Sequence, residues 1–396
     1  MPVDTVVLRR QSIMKRLAII GAGRMACIFA LNAREMGVET HCFAWSEGAV
    51  AKDYADFFYP ISIFERETIL NKCKDLKING VVATTELTIS VAAYIADSLH
   101  LNGNDLSVAE VITDKYRNRI ITAGIEGLYQ PRYIKVDYAE DVTGSGLPYP
   151  LILKPVNKGG KRGISVVYTR EDVKEAFKYA SGEVGEKTHF IVEEYIDGGQ
   201  EYSVESLTYH GESHVIQITE KESSGAPHCV ELGHHQPAKL SSAMKEKTVD
   251  VIKTALKAIG IKNGPCHTEI KIKDNKIYLI EFNARPGGDH IAYPLTELST
   301  GYEYIKGIIK VAFDENPEIC EDKFKTRYAG VLFVTEQTKF LKPLFDKCEQ
   351  FGWCYKKNTV NDKLTSLFHN DGYNTNYIMY CAKERPDFDK ILRDLK

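Results

Sequence analysis

His267–His290 reads HTEIKIKDNKIYLIEFNARPGGDH, and the pairing of its two halves decides the fold of the chain. Apolar and polar residues alternate on either side of Asp274, Asn275 and Lys276, the pattern of a hairpin turning there. Ile270 and Ile272 on one strand share a buried face with Tyr278, Ile280 and Phe282 on the other if Ile270 stands opposite Ile280. The same register sets Glu269 directly across from Glu281 and leaves Asn283 on their face.

Two opposed carboxylates repel. A hard divalent cation compensates, because Mg²⁺ takes carboxylate and amide oxygens and keeps positions open for phosphates. On these glutamates alone, a solvated strand face is an equally good reading. Arg285 and Pro286 follow Asn283 and favour the cation, since a guanidinium offers a planar fork for phosphoryl or carboxylate oxygens.

A cation of this kind calls for a nucleotide. PLILKPV (150–156), NKGGKRG (157–163) and ISVVYT (164–169) read as a hairpin with a small, basic tip. Gly159, Gly160 and Gly163 let backbone N–H groups approach oxyanions, while Lys158, Lys161 and Arg162 add charge. Taken alone, that tip is an ordinary flexible basic turn. Lys154 sits among apolar neighbours in a strand, where a lysine is seldom buried unless paired, and a phosphate is a natural partner. IVEEYIDGGQEYSVE (191–205) adds Glu193, Glu194 and Glu201 around a glycine turn. Its extended backbone can read an adenine edge, and Glu201 can accept from ribose hydroxyls.

Upstream, LAIIGAG (17–23), RMACIFALNAREMG (24–37) and VETHCFAW (38–45) alternate strand, glycine turn, helix and strand, and the alternation runs to about His100. This predicts a small doubly wound Rossmann-like sheet. Strands then pair with polar turns between them. The expected division is an extension over 1–14 with Met14 as an alternative start, and a first domain over 15–110. A two-lobed domain over 111–320 follows, its small lobe about 130–197 and its large lobe about 198–320, and then an α/β subdomain over 321–396.

The chain has 396 residues, 43% of them hydrophobic and 27% charged, with a net charge of −3, so no basic excess points to nucleic acid. Nine scattered cysteines without metal-ligand spacing fit a reducing cytoplasm. No apolar run is long enough to span a membrane.

From Thr113 to Gly288 the order of these motifs resembles the ATP-grasp superfamily and, within it, the L-amino acid ligases that form dipeptides. The resemblance implies α/β and α+β elements in an ATP-grasp fold, with a Rossmann-like pre-grasp domain and a small C-terminal lid. It implies that Lys115 in TDKYRNR and Lys154 hold ATP phosphates under the loop of Gly159, Gly160, Lys161 and Gly163. Glu193, Glu194, Tyr195 and Ile196 would read adenine, and Glu201 the ribose. Glu269, Glu281 and Asn283 would bind Mg²⁺, with Mn²⁺ able to substitute, and Arg285 would be the catalytic arginine. Gly287 and Gly288 would face a substrate carboxylate. His267 would orient a substrate or accept a proton, while Glu231 and His234, in the loop VELGHHQPAKL (230–240), would border the acceptor. The implied reaction joins a small-molecule carboxylate to an amine, two amino acids in the ligases it resembles, through an acyl phosphate with release of ADP and phosphate; the resemblance also admits a homodimer.

The turn GAGRMA (21–26) also fits a dinucleotide fingerprint. That reading needs an acidic residue ending the next strand, which here ends in Trp45 and Ser46. A nucleotide-binding regulator without turnover, and a purine-pathway ligase or a carboxylase on the same fold, are further alternatives.

Overall fold

The computed structural model describes residues 14–184 and 189–395; most of the expected N-terminal extension lies outside them. Three sheets organise the chain. The first contains β1 (Arg16–Ile20), β2 (Glu39–Phe43), β3 (Phe57–Tyr59) and β4 (Gly80–Ala83) in the order β3-β2-β1-β4. All its pairings are parallel. Leu17–Ile20 are fully buried, as expected of a strand covered on both faces by helices. Gly21, at φ 97°, ends β1 where an added Cβ would lie 2.3 Å from the Thr84 hydroxyl, so only glycine lets that hydroxyl donate to the Ile20 carbonyl at 2.8 Å.

After β5 (Leu128–Tyr129), the second sheet comprises β6 (Tyr133–Val136), β7 (Leu151–Pro155), β8 (Ser165–Val167) and β9 (Phe190–Glu194) in the order β6-β9-β7-β8. Val136, Leu151, Leu153 and Val192 pack with Val173, Ala176 and Phe177 of the helix Val173–Val184. The expected β7–β8 hairpin forms, with the glycine-rich tip between its strands.

The central sheet adds β10 (Gln200–Tyr209), β11 (Glu212–Ser223), β12 (Glu231–Gln236), β13 (Gly264–Lys273), β14 (Lys276–Asn283), β15 (Tyr328–Phe333), β16 (Cys354–Asn358) and β17 (Tyr377–Ala382). Its order is β16-β17-β15-β12-β11-β10-β13-β14-β5. The C-terminal segment therefore continues this sheet by three strands instead of building a sheet of its own. VELGHHQ, expected as loop, is mostly strand, because β15 supplies β12 with a second partner. One face of the sheet is apolar: Tyr202, Val204, Ile218, Ile270 and Phe282 pack under the helix Ser242–Ile259. Ser241 caps that helix through Met244 N–H, and Gly260 ends it at φ 91°. No helix of the described residues is long and apolar enough to cross a membrane.

The β13–β14 hairpin departs from the expected register in one respect. Glu269 does stand opposite Glu281, but the pairing slips by one residue, so that Ile270 faces Leu279 rather than Ile280. The cause is the turn. Asp274 and Asn275, at φ 50° and 59°, form a two-residue connection that pairs Lys273 with Lys276, the backbone shape that matches strand twist. A bulge absorbs the extra residue. Ile277 and Leu279 thus join the core, while Tyr278 and Ile280 are only half-buried.

Candidate active site

Strand pairing sets the site on the other face of the central sheet. Across neighbouring strands one row runs Lys271, Glu201, Lys221, His234. The next places Glu281 opposite Glu269 and Glu269 opposite Ser203, and a third places Asn283 opposite His267 and His267 opposite Glu205. Side chains two residues apart share a face, so acids and bases from five strands converge here.

Buried charges in this cluster are paired. Lys221, 2% exposed, reaches Glu231 at 2.9 Å and Glu269 at 3.2 Å. Lys161 descends from the glycine-rich tip to within 3.4 Å of Glu201 and 3.7 Å of Glu269. Lys115 meets Glu281 at 2.7 Å and the Lys158 carbonyl at 2.7 Å. Burial alone would raise the carboxyl pKa of Glu269; Lys221, Lys161 and His267 outweigh it and hold the group well below its usual range. Glu231 is held down to about 2, where Lys221 and His234 overcome the same desolvation.

His267 lies between two acids. Its Nδ1 meets Glu205 and its Nε2 lies 3.3 Å from Glu269. Burial lowers its pKa, but the two carboxylates raise it more. The imidazole thus spans both acids, the arrangement expected of an orienting role. His234, fully buried, is pushed down to about 3 by desolvation and packs edge-on against Phe333. Its Nε2 lies 3.3 Å from Glu231 without hydrogen-bond geometry.

In the second sheet Lys154 finds a protein partner rather than standing free for phosphate. Glu193 accepts from Lys154 Nζ and Arg119 Nε, each at 2.6 Å. Although burial pushes the Glu193 carboxyl up, these cations bring it to about 2. The Glu193 side chain is thus consumed inside the protein. Glu194 is held by Arg132 Nε at 2.9 Å and Nη2 at 2.7 Å. Tyr195 N–H donates to the Pro150 carbonyl at 3.0 Å, whereas Ile196 N–H has no acceptor among the described residues.

Arg285 is 9% exposed. One of its terminal nitrogens meets Glu86, at the start of the helix Glu86–Ser98, and the other donates to the Pro286 carbonyl at 2.9 Å. Its Nε has no hydrogen-bond partner among the described residues. Gly287 N–H donates to Glu205 at 3.0 Å, so that amide is already used, and Gly288 is the member of the pair that lines a cavity.

Two cavities open on this face. The first, about 790 Å³, is lined by Lys115, Lys154, Lys161, Tyr195, Ile196 and Glu201, among others. The second, about 1060 Å³, is lined by Arg24, Glu231, His267, Arg285 and Gly288, among others. Gly160, Glu269 and Asn370 border both. Asn283 lines neither, although it donates to Glu281 at 2.9 Å.

Sequence reasoning missed Arg119, Lys221, Glu86 and Asn370. Lys221 carried a readable signal, a lysine inside the apolar alternation of HVIQITEKES (214–223). Glu86 and Asn370 carried none, since their partners lie far away in the chain.

Residues 147–293 match the model of a family described as an ATP-grasp domain. The chain is 21% identical over 325 residues to a formate-dependent phosphoribosylglycinamide formyltransferase of Sulfurovum sp., covering 78% of this chain and 80% of that protein. It is 28% identical over 273 residues to alanine–anticapsin ligase of Bacillus subtilis, spanning 60% of this chain but only 57% of that protein. In fold it is similar to an L-amino acid ligase from Bacillus licheniformis, with a TM-score of 0.78 and 22% identity over 96% of each chain. Residues 147–293 thus form an ATP-grasp domain, and over nearly its whole length the chain shares the fold of that L-amino acid ligase.

Proposed function

We propose that the chain joins two amino acids, phosphorylating the carboxylate of one with Mg-ATP and passing the acyl group to the amine of the other. The observation that carries this reading is the common border of the two cavities. A cleft lined by Lys115, Lys161 and Glu201 and a chamber lined by Arg285 and Gly288 meet at Glu269 and Gly160, where a terminal phosphate and a carboxylate would have to meet. Likeness to the amino acid ligases in sequence and fold supports the choice of substrate.

In this reading adenine lies against Glu194–Ile196, with the free N–H of Ile196 as donor, and Glu201 holds the ribose. Lys115 and Lys161 face the phosphates beneath the amides of the glycine-rich tip, while Lys154 lines the cleft beside them on its Glu193 partner. Glu269 and Glu281 with the Asn283 amide oxygen form a hard donor set of the kind Mg²⁺ accepts when phosphate and water complete its sphere. No cluster of three or more Asp, Glu, His or Cys side chains arranged for a metal occurs among the described residues. Of the three lysines now on these carboxylates, Lys115 and Lys161 would swing to the phosphates while Lys221 stays between Glu231 and Glu269. A cation held by these residues would neutralise the charge of the triphosphate.

A carboxylate oxygen attacks the γ-phosphorus, the bond to the bridging β–γ oxygen breaks, and ADP leaves. The amine then attacks the acyl carbon and phosphate departs. Arg285 stabilises the transferring phosphoryl group and the tetrahedral adduct, and the closed tip excludes water from the acyl phosphate.

A screen of amino acid pairs that quantifies ADP, phosphate and AMP tests this reading. ADP and phosphate with a defined pair is the expected result, lost in Glu269→Ala/Glu281→Ala while the circular dichroism spectrum is retained. AMP with pyrophosphate, or undiminished ADP release by the double variant, overturns it. A carboxylate other than an amino acid is the second reading, favoured by the longer alignment with the formate-dependent relative.

A further inference from the structure

The second cavity holds more positive charge than the ligase chemistry uses. Lys221 is taken by Glu231 and Glu269, Arg285 by Glu86, and His267 by Glu205 and Glu269. Two guanidinium groups are left over. Arg24 and Arg162 both line this cavity, both are exposed, and neither has an ion-pair partner among the described residues.

Each is placed by its local backbone. Gly160, Lys161 and Gly163 take φ of 66°, 60° and 69°, and within this turn adjacent side chains part company. Lys161 lines the nucleotide cleft and Arg162 the second cavity. Arg24 opens the 12-residue helix Arg24–Glu35, whose cap, Gly23, has no side chain to satisfy the first turn. The amides of Arg24 and Met25 have no acceptor among the described residues, and both residues line the cavity. Arg285, nine-tenths buried, lines the same cavity, and its Nε has no hydrogen-bond partner among the described residues.

The acids facing this space do not answer these donors. Glu231 and Glu269 are held by Lys221, and Glu86 by Arg285. Asp289 accepts from Gly372 N–H at 3.1 Å and Asp371 from Asn374 Nδ2 at 2.8 Å. Unpaired guanidinium groups beside an open helix N-terminus form a receptor for an oxyanion with two or more oxygens.

We propose that Arg24 and Arg162 bind an anionic substituent of one substrate, a carboxylate or phosphate separate from the carboxyl group that is activated. The inference rests on the ligase reading and narrows its substrate class to an amino acid with an acidic or phosphorylated side chain. Arg24 and Arg162 are then specificity-determining residues. They also give the first sheet a part in catalysis, as one wall of the substrate chamber.

Calorimetric titration of the full chain with Mg-ADP present tests this by comparing glutamate with glutamine and O-phosphoserine with serine. The first pair probes a carboxylate and the second a phosphate. At least one anion is expected to bind at least about tenfold tighter than its neutral counterpart. Arg24→Gln/Arg162→Gln, assayed at saturating Mg-ADP, should erase that preference while the neutral compound binds as before. Equal binding within both pairs, no binding of any of the four, or a preference that survives the double variant overturns the proposal. A preserved preference without turnover of any pair would overturn the ligase reading alone.

Discussion

Lys154 and Glu193, 39 positions apart, meet at 2.6 Å inside the second sheet, and Arg119 closes the same carboxylate from the other side. Removing the acid leaves two buried cations facing each other. Glu193→Gln is expected to destabilise the protein by about 3–5 kcal/mol, the usual consequence of breaking a buried pair, and to raise the KM for ATP as Lys154 and Arg119 separate. The pair also leaves a mark on acid unfolding. Because the Glu193 carboxyl is lowered to about 2 in the folded state, its contribution is present above the ordinary glutamate range and lost as pH falls toward 2. Urea midpoints measured from pH 5 to pH 2 should fall less steeply in Glu193→Gln than in the wild type.

Lys221 is the one cation joining Glu231 to Glu269 among the described residues. Lys221→Met leaves both acids buried without it. A fall in melting temperature and a loss of ADP formation of about tenfold or more are expected together. A variant with normal turnover would show that the acids need no bridge.

Gly287 and Gly288 differ in what a side chain would meet. A Cβ on Gly287 would lie 2.7 Å from Glu205 Oε1 and 2.8 Å from His267 Nδ1, whereas one on Gly288 meets nothing within 4 Å. Gly287→Ala should destabilise by about 1–3 kcal/mol. Gly288→Ala should leave the melting temperature unchanged and, if substrate lies against it, raise KM. Thermal melts alongside steady-state kinetics separate the two.

Burial, together with Glu231 and Asp371, pushes the Asp289 carboxyl up to about 7. A raised carboxyl binds its proton more tightly in the folded state, so its ionisation erodes stability as pH climbs from about 4 to 7. Asp289→Asn removes that loss, and asparagine tolerates the φ of 44° at this position. The variant should match the wild type near pH 4 and melt higher at pH 8.

The sequence alone disclosed the first sheet, the β7–β8 hairpin and the opposition of Glu269 to Glu281, but not β12 or its pairing with the C-terminal strands, because alternation marks a strand's faces and not its partners. It did not disclose the bulge that follows. Alternation from Tyr278 to Phe282 looks continuous, and only the demand of the Asp274–Asn275 turn for its own register forces an extra residue between them. The partners of Lys154 and Arg285 were hidden for another reason. Glu193 read as an acidic hinge and Glu86 drew no reading at all, and their ion pairs exist only once separate sheets and helices are packed. Lys115 and Lys161 were legible as cations, but not the glutamates they hold.

The continuity of the central sheet bears on engineering. β12 is hydrogen-bonded to β15, with Gly233 opposite Leu332 and Gln236 opposite Ala329. Cutting the chain near residue 320 would strip one side of β12 and bare a row of amides and carbonyls able to recruit other chains. The ATP-binding portion is therefore not a cassette that can be lifted out at that boundary, and chimeras with other grasp enzymes would keep this strand contact only by exchanging both sides of it.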